Sequence, residues 1–79
     1  MRVKIWTESG SLYVLDRTNM TWERLEHAPD STHVRTQDGK LYAWPDIAMN
    51  KPLIMLGPGL DFGTRYIRTT NVTKIEEEL

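Results

Sequence analysis

The stretch Pro52-Leu53-Ile54-Met55-Leu56 is the one place where this chain runs apolar without a polar break. It is too brief for an amphipathic helix and far too brief to cross a membrane as one, which takes about 20 residues. Asn50-Lys51-Pro52 leads into it and Gly57-Pro58-Gly59 leads out, so it reads as a strand between two turns. Unbroken apolar character predicts cover on both faces, and therefore a central position with the remaining chain wrapped around it.

Working outward, turn signals separate short β-rich runs along the whole sequence, the spacing expected of a sandwich or barrel. Val3 and Ile5 alternate with Lys4 and Trp6 in a first strand, and Ser9-Gly10 turns it. Leu12-Tyr13-Val14-Leu15 follows, with apolar residues on both faces. Asp16-Arg17-Thr18-Asn19 is a second turn, rich in side chains that bond their own backbone or tolerate left-handed geometry. Met20 to Leu25 alternates as a third strand, and Glu26 to Ser31, broken by Pro29, reads as a loop.

Asp38-Gly39 is the clearest local signal, because Asp-Gly favours a type I′ turn with positive φ at both central residues. It predicts a hairpin of Thr32–Gln37 with Lys40–Trp44, in which Arg35 faces Tyr42, Val34 faces Ala43 and His33 faces Trp44. Side chains alternate across a strand, so His33, Arg35, Tyr42 and Trp44 would share one face. Asp46 to Asn50 has room for a single helical turn between Pro45 and Pro52. Beyond the apolar run, Gly57 to Gly63 reads as a loop and Thr64 to Thr69 as a strand. Thr70-Asn71 interrupts it, and Val72 to Ile75 forms a last short strand. The predicted class is all-β: a small antiparallel meander, as an SH3-like barrel or a compact sheet pair, with at most one short helical turn.

Composition narrows the functional classes. The 79 residues suit one domain over 1–79, with 76–79 as a frayed acidic tail. The absence of cysteine excludes disulfides and thiolate metal sites. The only histidines, His27 and His33, straddle Pro29, a poor start for a zinc site, so no metal and no cofactor is expected. A formal net charge of −1 with both signs spread along the chain is not the profile of a protein that tracks phosphate backbones. Met1-Arg2-Val3-Lys4-Ile5 has no apolar signal region, which predicts a cytoplasmic protein, and without a secretory signal the triplets at Asn19 and Asn71 are not glycosylation sites.

No reading of the motifs yields a catalytic set. Gly57-Pro58-Gly59 imitates the spacing of a dinucleotide loop, but Pro58 deletes an amide and no helix follows to meet a pyrophosphate. Ser9, Ser11 and Ser31 sit in turn contexts without an oriented base, and His33 has no acid placed beside it, so the chain does not read as an enzyme. The predicted His33, Arg35, Tyr42 and Trp44 face is the candidate partner-binding surface, since arginine, tyrosine and tryptophan are enriched at binding hot spots. The same residues serve equally as stabilising cross-strand pairs, and the opposite assignment, with Tyr42 and Trp44 buried, stays open. Arg65 and Arg68 cannot both join such a face from one regular strand, because their spacing is odd.

Ile5-Trp6-Thr7-Glu8-Ser9-Gly10-Ser11-Leu12-Tyr13 resembles the opening of a group of small proteins encoded by actinobacterial phages, including mycobacteriophages. Leu53-Ile54-Met55-Leu56 is similar to a segment of the same group. Thr69-Thr70-Asn71-Val72-Thr73-Lys74-Ile75-Glu76-Glu77 is similar to their closing Thr-Thr-Ser-Pro-Val-x-x-Ile-Glu-Glu pattern, with Asn71 where Ser-Pro is expected. The resemblance covers about a third of the chain, and Met20 to Asn50 matches little beyond an aromatic-rich hairpin. It implies an accessory protein acting in an infected bacterial cytoplasm and carries no functional residues with it. The expectation is a non-enzymatic protein that binds a host or phage protein, with a homodimer as one form. The alternatives are an oligomer that sequesters a nucleotide-like small molecule and a weak nucleic-acid-binding β-barrel.

Overall fold

Val3, Ile5 and Thr7 are buried along strand β1 (Arg2–Thr7) while Lys4 and Trp6 are half-exposed between them, the period of two that a strand with one face on a core requires. Ser9-Gly10 reverses the chain with Gly10 at φ +87°, and Thr7 N–H bonds Ser11 O at 3.1 Å. Strand β2 (Leu12–Asp16) follows, then β3 (Thr21–His27), β4 (His33–Lys40), β5 (Pro52–Pro58) and β6 (Thr64–Glu78). The structure, a computed structural model, describes residues 1–27 and 32–78, and no helix occurs among them, so none is long and apolar enough to cross a membrane. The turn between β2 and β3 is built as its residues predict. Asp16 Oδ1 accepts the amides of Thr18 and Asn19 at 2.9 and 3.2 Å, Asn19 Nδ2 donates to Oδ2 at 3.0 Å, and Met20 takes φ +52°.

The strands form one sheet in the order β4-β3-β2-β1-β6-β5, every neighbouring pair antiparallel, curled into a half-barrel. The all-β class is therefore observed, with β1 to β4 as the meander. The inner face gathers Val3, Ile5, Tyr13, Leu15, Trp22, Leu53, Met55 and Val72 into the core, joined by Leu41. Burying each such side chain contributes about 1.5–3 kcal/mol relative to exposure.

The fifteen-residue β6 pairs with β5 through its first half and with β1 through its second. Both ladders lose register near Thr70 to Thr73, where a bulge lets the strand bend. Side chains take up the displaced backbone groups there. Leu53 N–H donates to Thr69 Oγ1 at 2.9 Å, Ser9 N–H to Thr70 Oγ1 at 3.1 Å, and Asn71 N–H to Glu8 Oε1 at 3.1 Å. Thr70-Asn71 thus kinks one strand instead of separating two.

Other local expectations yield to tertiary packing. The Pro52–Leu56 run lies in β5 at the sheet edge and is buried on one face only: Leu53 and Met55 point into the core while Ile54 and Leu56 are exposed. The strand covered on both faces is β2, in which Leu12, Tyr13, Val14 and Leu15 are all buried. Asp38-Gly39 makes no turn. It continues β4, with Asp38 opposite Glu23 and Gly39 opposite Trp22, and a Cβ on Gly39 would stand 2.8 Å from the Trp22 indole nitrogen. Glycine serves there as the seat of a ring. Beyond Lys40 the chain leaves the sheet, so the predicted 40–44 strand is absent, and residues 46–50 form no helical turn. β5 runs on through Gly57-Pro58, shortening the predicted loop to residues 59–63. Glu26 and His27 belong to β3, and residues 28–31 of the predicted early loop lie outside the described residues. Glu76 to Glu78, expected in the acidic tail, continues β6 opposite Lys4, Val3 and Arg2, and Lys4 Nζ lies 3.0 Å from Glu78 Oε1; Leu79 lies outside the described residues.

The half-barrel closes at one corner. Leu41 N–H bonds Met20 O at 2.8 Å and Tyr42 N–H bonds Leu56 O at 2.9 Å, so the segment after β4 straps β3 to β5. Gly57 lies against this strap so closely that a Cβ would overlap the Lys40 carbonyl oxygen. Gly57→Ala should therefore destabilise the fold by about 1–3 kcal/mol, the usual cost of overpacking, read from the denaturant midpoint at unchanged slope. Asp16 supplies a pH test. The amide of Asn19 first, then its side chain and the Thr18 amide, hold the Asp16 carboxyl below its ordinary value. A depressed folded value stabilises above the unfolded carboxyl range and is lost as pH falls through the folded value. The Tm gap between the native chain and Asp16→Ala should be widest near neutral pH and narrow in acid below about pH 4.

Candidate functional site

The four side chains expected on one face are distributed over three regions. His33 and Arg35 are exposed on β4, on the outer face of the sheet. Tyr42 is exposed on the strap beside β5, and its hydroxyl donates to Gly63 O at 3.4 Å. Trp44 is half-buried, packed against the core at the other end of the half-barrel, with the Arg17 guanidinium 5.5 Å from its ring centroid. The predicted Arg35–Tyr42 and His33–Trp44 pairs do not form, because the hairpin that would register them does not exist.

Arg35 belongs instead to a charged outer face. A bulge between β3 and β4 shifts register after Arg24 and leaves Arg35 opposite Leu25, on the same side as Asp38. The Arg35 guanidinium then sits 3.8 Å from Glu23 and 3.7 Å from Asp38. Together with Arg2, Asp16 and Lys40 these residues rim an open hollow of about 560 Å³. Across the same face Lys74 reaches Glu76 at 3.9 Å and lies 4.7 Å over the Trp6 ring. Exposed pairs of this kind contribute about 0–1 kcal/mol each, and they set acids beside Lys4, Arg35 and Lys74.

Arg65 and Arg68 fall on opposite faces, as their odd spacing requires. Arg65 turns inward, lies 5.1 Å over the Trp22 ring and donates to Asp38 O at 3.2 Å, tying β6 to the edge of β4. Trp22 is thereby held between Gly39, Arg65 and the tilted Tyr13 ring 6.4 Å away. Burial raises the Tyr13 phenol above its ordinary value, against the opposing pull of Arg24. Arg24 itself donates to Ser11 Oγ from two nitrogens at 3.1 and 3.0 Å.

Apolar exposure concentrates elsewhere, on the outer face of β5 and β6. Leu56 is opposite Tyr66 and Ile54 is opposite Arg68, so Ile54, Leu56 and Tyr66 form adjacent rungs, and Tyr42 abuts Leu56 through its backbone bond. Tyr42 also reaches the 59–63 loop, which carries Leu60 and Phe62 at 94% and 101% exposure. Phe62 holds φ +113°, a conformation L-residues rarely adopt. Sequence reasoning overlooked this surface because an unbroken apolar run reads as doubly covered. The available signal was the pair Leu60 and Phe62, large apolar residues inside a glycine-rich loop that offers them no strand to pack on.

Among the described residues, no group of His, Asp and Glu side chains is placed to hold a metal ion. The Asp61 carboxylate in the 59–63 loop is exposed. Compared with protein-family models, with curated proteins and with solved structures, the chain matches none.

Proposed function

We propose that this protein is a non-enzymatic binding module that engages another protein through the outer face of β5 and β6. The observation that carries this reading is the run of exposed apolar side chains from Ile54 and Leu56 through Tyr66 and Tyr42 to Leu60 and Phe62. Large apolar residues exposed together on one strand pair and its connecting loop favour an interaction surface where scattered exposed residues do not. Phe62 strengthens the reading, since backbone strain at a side chain that buries nothing in the free protein is the pattern of a recognition loop.

A protein partner fits this surface better than nucleic acid does. Arg68 is the one cation on its strand rungs, and the cations of the opposite region are matched by Glu23, Asp38, Glu76 and Glu78. A phosphate backbone approaching that region would meet these acids beside its lysines and arginines. The resemblance to small actinobacteriophage accessory proteins supplies the setting of the proposal: a host or phage protein as partner, in the host cytoplasm.

The test is capture from an actinobacterial host lysate, comparing the native chain with Phe62→Ala and Leu56→Ala/Tyr66→Ala variants of unchanged Tm. Hot-spot truncation of about 2 kcal/mol predicts a Kd raised about thirtyfold for whichever protein is retained. A partner held equally well by native and variant chains, or no retained partner at all, overturns the proposal. Light scattering on the purified chain identifies a second copy as the occupant if its mass doubles and reverts in the variants.

A further inference from the structure

The end of the half-barrel opposite the apolar face holds a second, independent feature. A hollow of about 340 Å³ opens between β1, β6 and the segment after Trp44. Its inner walls are Val3, Ile47 and Ile75, and the Trp44 ring forms one side. Two carboxylates, Asp46 and Glu77, reach it from the strap and from β6, and neither has an ion pair or hydrogen bond to another described residue. The cationic side chain lining the hollow is Arg17, whose guanidinium lies 5.5 Å from the Trp44 ring centroid and makes no ion pair among the described residues. The Met1 ammonium, also at this rim, is directed to Thr18 Oγ1 at 3.3 Å.

The geometry points to a site for an arginine side chain of a partner, with Arg17 occupying the aromatic face in the free protein. An indole ring attracts a guanidinium through its quadrupole, and arginine is the preferred cation for such stacking. Unpaired carboxylates beside the ring accept the charge-assisted hydrogen bonds that a planar guanidinium donates in fork geometry. Arg17 demonstrates that the ring accepts this group. It makes no ion pair with either carboxylate while it lies over Trp44 from the β2–β3 turn. An incoming arginine that satisfied both ring and carboxylates would displace it. The hollow lies away from the Ile54, Leu56 and Tyr66 rungs, so the inference stands or falls separately from the apolar surface.

Calorimetric titration with Nα-acetyl-arginine methylamide, and with the citrulline analogue that keeps the shape and removes the charge, tests it on the intact chain. The arginine probe should bind and the citrulline probe should not. Arg17→Ala removes the internal competitor, so it should tighten binding about two- to fivefold, the worth of an exposed cation–π contact. Asp46→Asn and Glu77→Gln change exposed side chains at constant size and should each weaken binding, more so at low salt. Trp44→Ala should abolish it, with Trp44→Phe retaining part and guarding against misfolding. Equal binding of the citrulline probe, absence of arginine binding, unchanged affinity in Asp46→Asn/Glu77→Gln, or weaker binding in Arg17→Ala overturns the assignment. An arginine-bearing peptide that binds more tightly than the single-residue probe identifies a protein segment as the source, and equal affinity identifies a free guanidino compound.

Discussion

One strand must serve two partners. β6 hydrogen-bonds β5 with its first half and β1 with its second, and a straight strand cannot do both within a sheet that curls. The bend near Thr70 to Thr73 resolves this, and the cost of breaking two ladders at one place is met by short polar side chains. Thr69, Thr70 and Glu8 receive the amides of Leu53, Ser9 and Asn71, while Asn50 N–H and Val72 N–H pair with Val72 O and Lys51 O, each at 2.9 Å. Without that satisfied kink, β5 would have no route to bring Leu53 and Met55 onto the core.

The bend also determines where the half-barrel closes. It swings β5 toward the strap that follows β4, where Gly57 passes against the Lys40 carbonyl and Tyr42 N–H meets Leu56 O. Arg65, carried inward by the same strand, spans the remaining gap to stack on Trp22 and bond Asp38 O. Two glycines therefore act through close approach. Gly57 admits a crossing backbone and Gly39 admits an indole ring, and neither has the positive φ that usually explains glycine.

The surface divides by chemistry. On the outer face of β1 to β4, Arg2, Lys4, Arg35 and Lys40 lie among Asp16, Glu23 and Asp38 around the apolar Leu12, Val14 and Leu25, so their fields largely cancel over a short distance and little remains to steer a charged partner. On the outer face of β5 and β6 the rungs are apolar, and desolvating them rewards a partner that covers them. That contrast, more than the presence of any single aromatic residue, supports the reading of a binding module. Enrichment of tyrosine and arginine in a sequence carries less, because here one arginine serves the core, another an ion pair, and a third a ring at the far end.

The first three strands and the turns at Ser9-Gly10 and Asp16–Asn19 were legible in the chain by itself, because each depends on contacts between near neighbours: side-chain alternation, Asp16 bonding amides two and three residues ahead, glycine at positive φ. Asp38-Gly39 was misleading for the same reason. Its local turn preference is worth little beside seating the Trp22 ring and continuing the ladder to β3, contacts made with residues far away in sequence. Which apolar run is central and which lies at an edge depends on strand order, and so Pro52–Leu56, read as central, lies at an edge while Leu12–Leu15 is the run covered on both faces. The scattering of His33, Arg35, Tyr42 and Trp44 follows from that lost hairpin. Alternation of side chains determined the class of this protein; only the long-range pairing of the bent β6 with both β1 and β5 decided which faces stay open to another molecule.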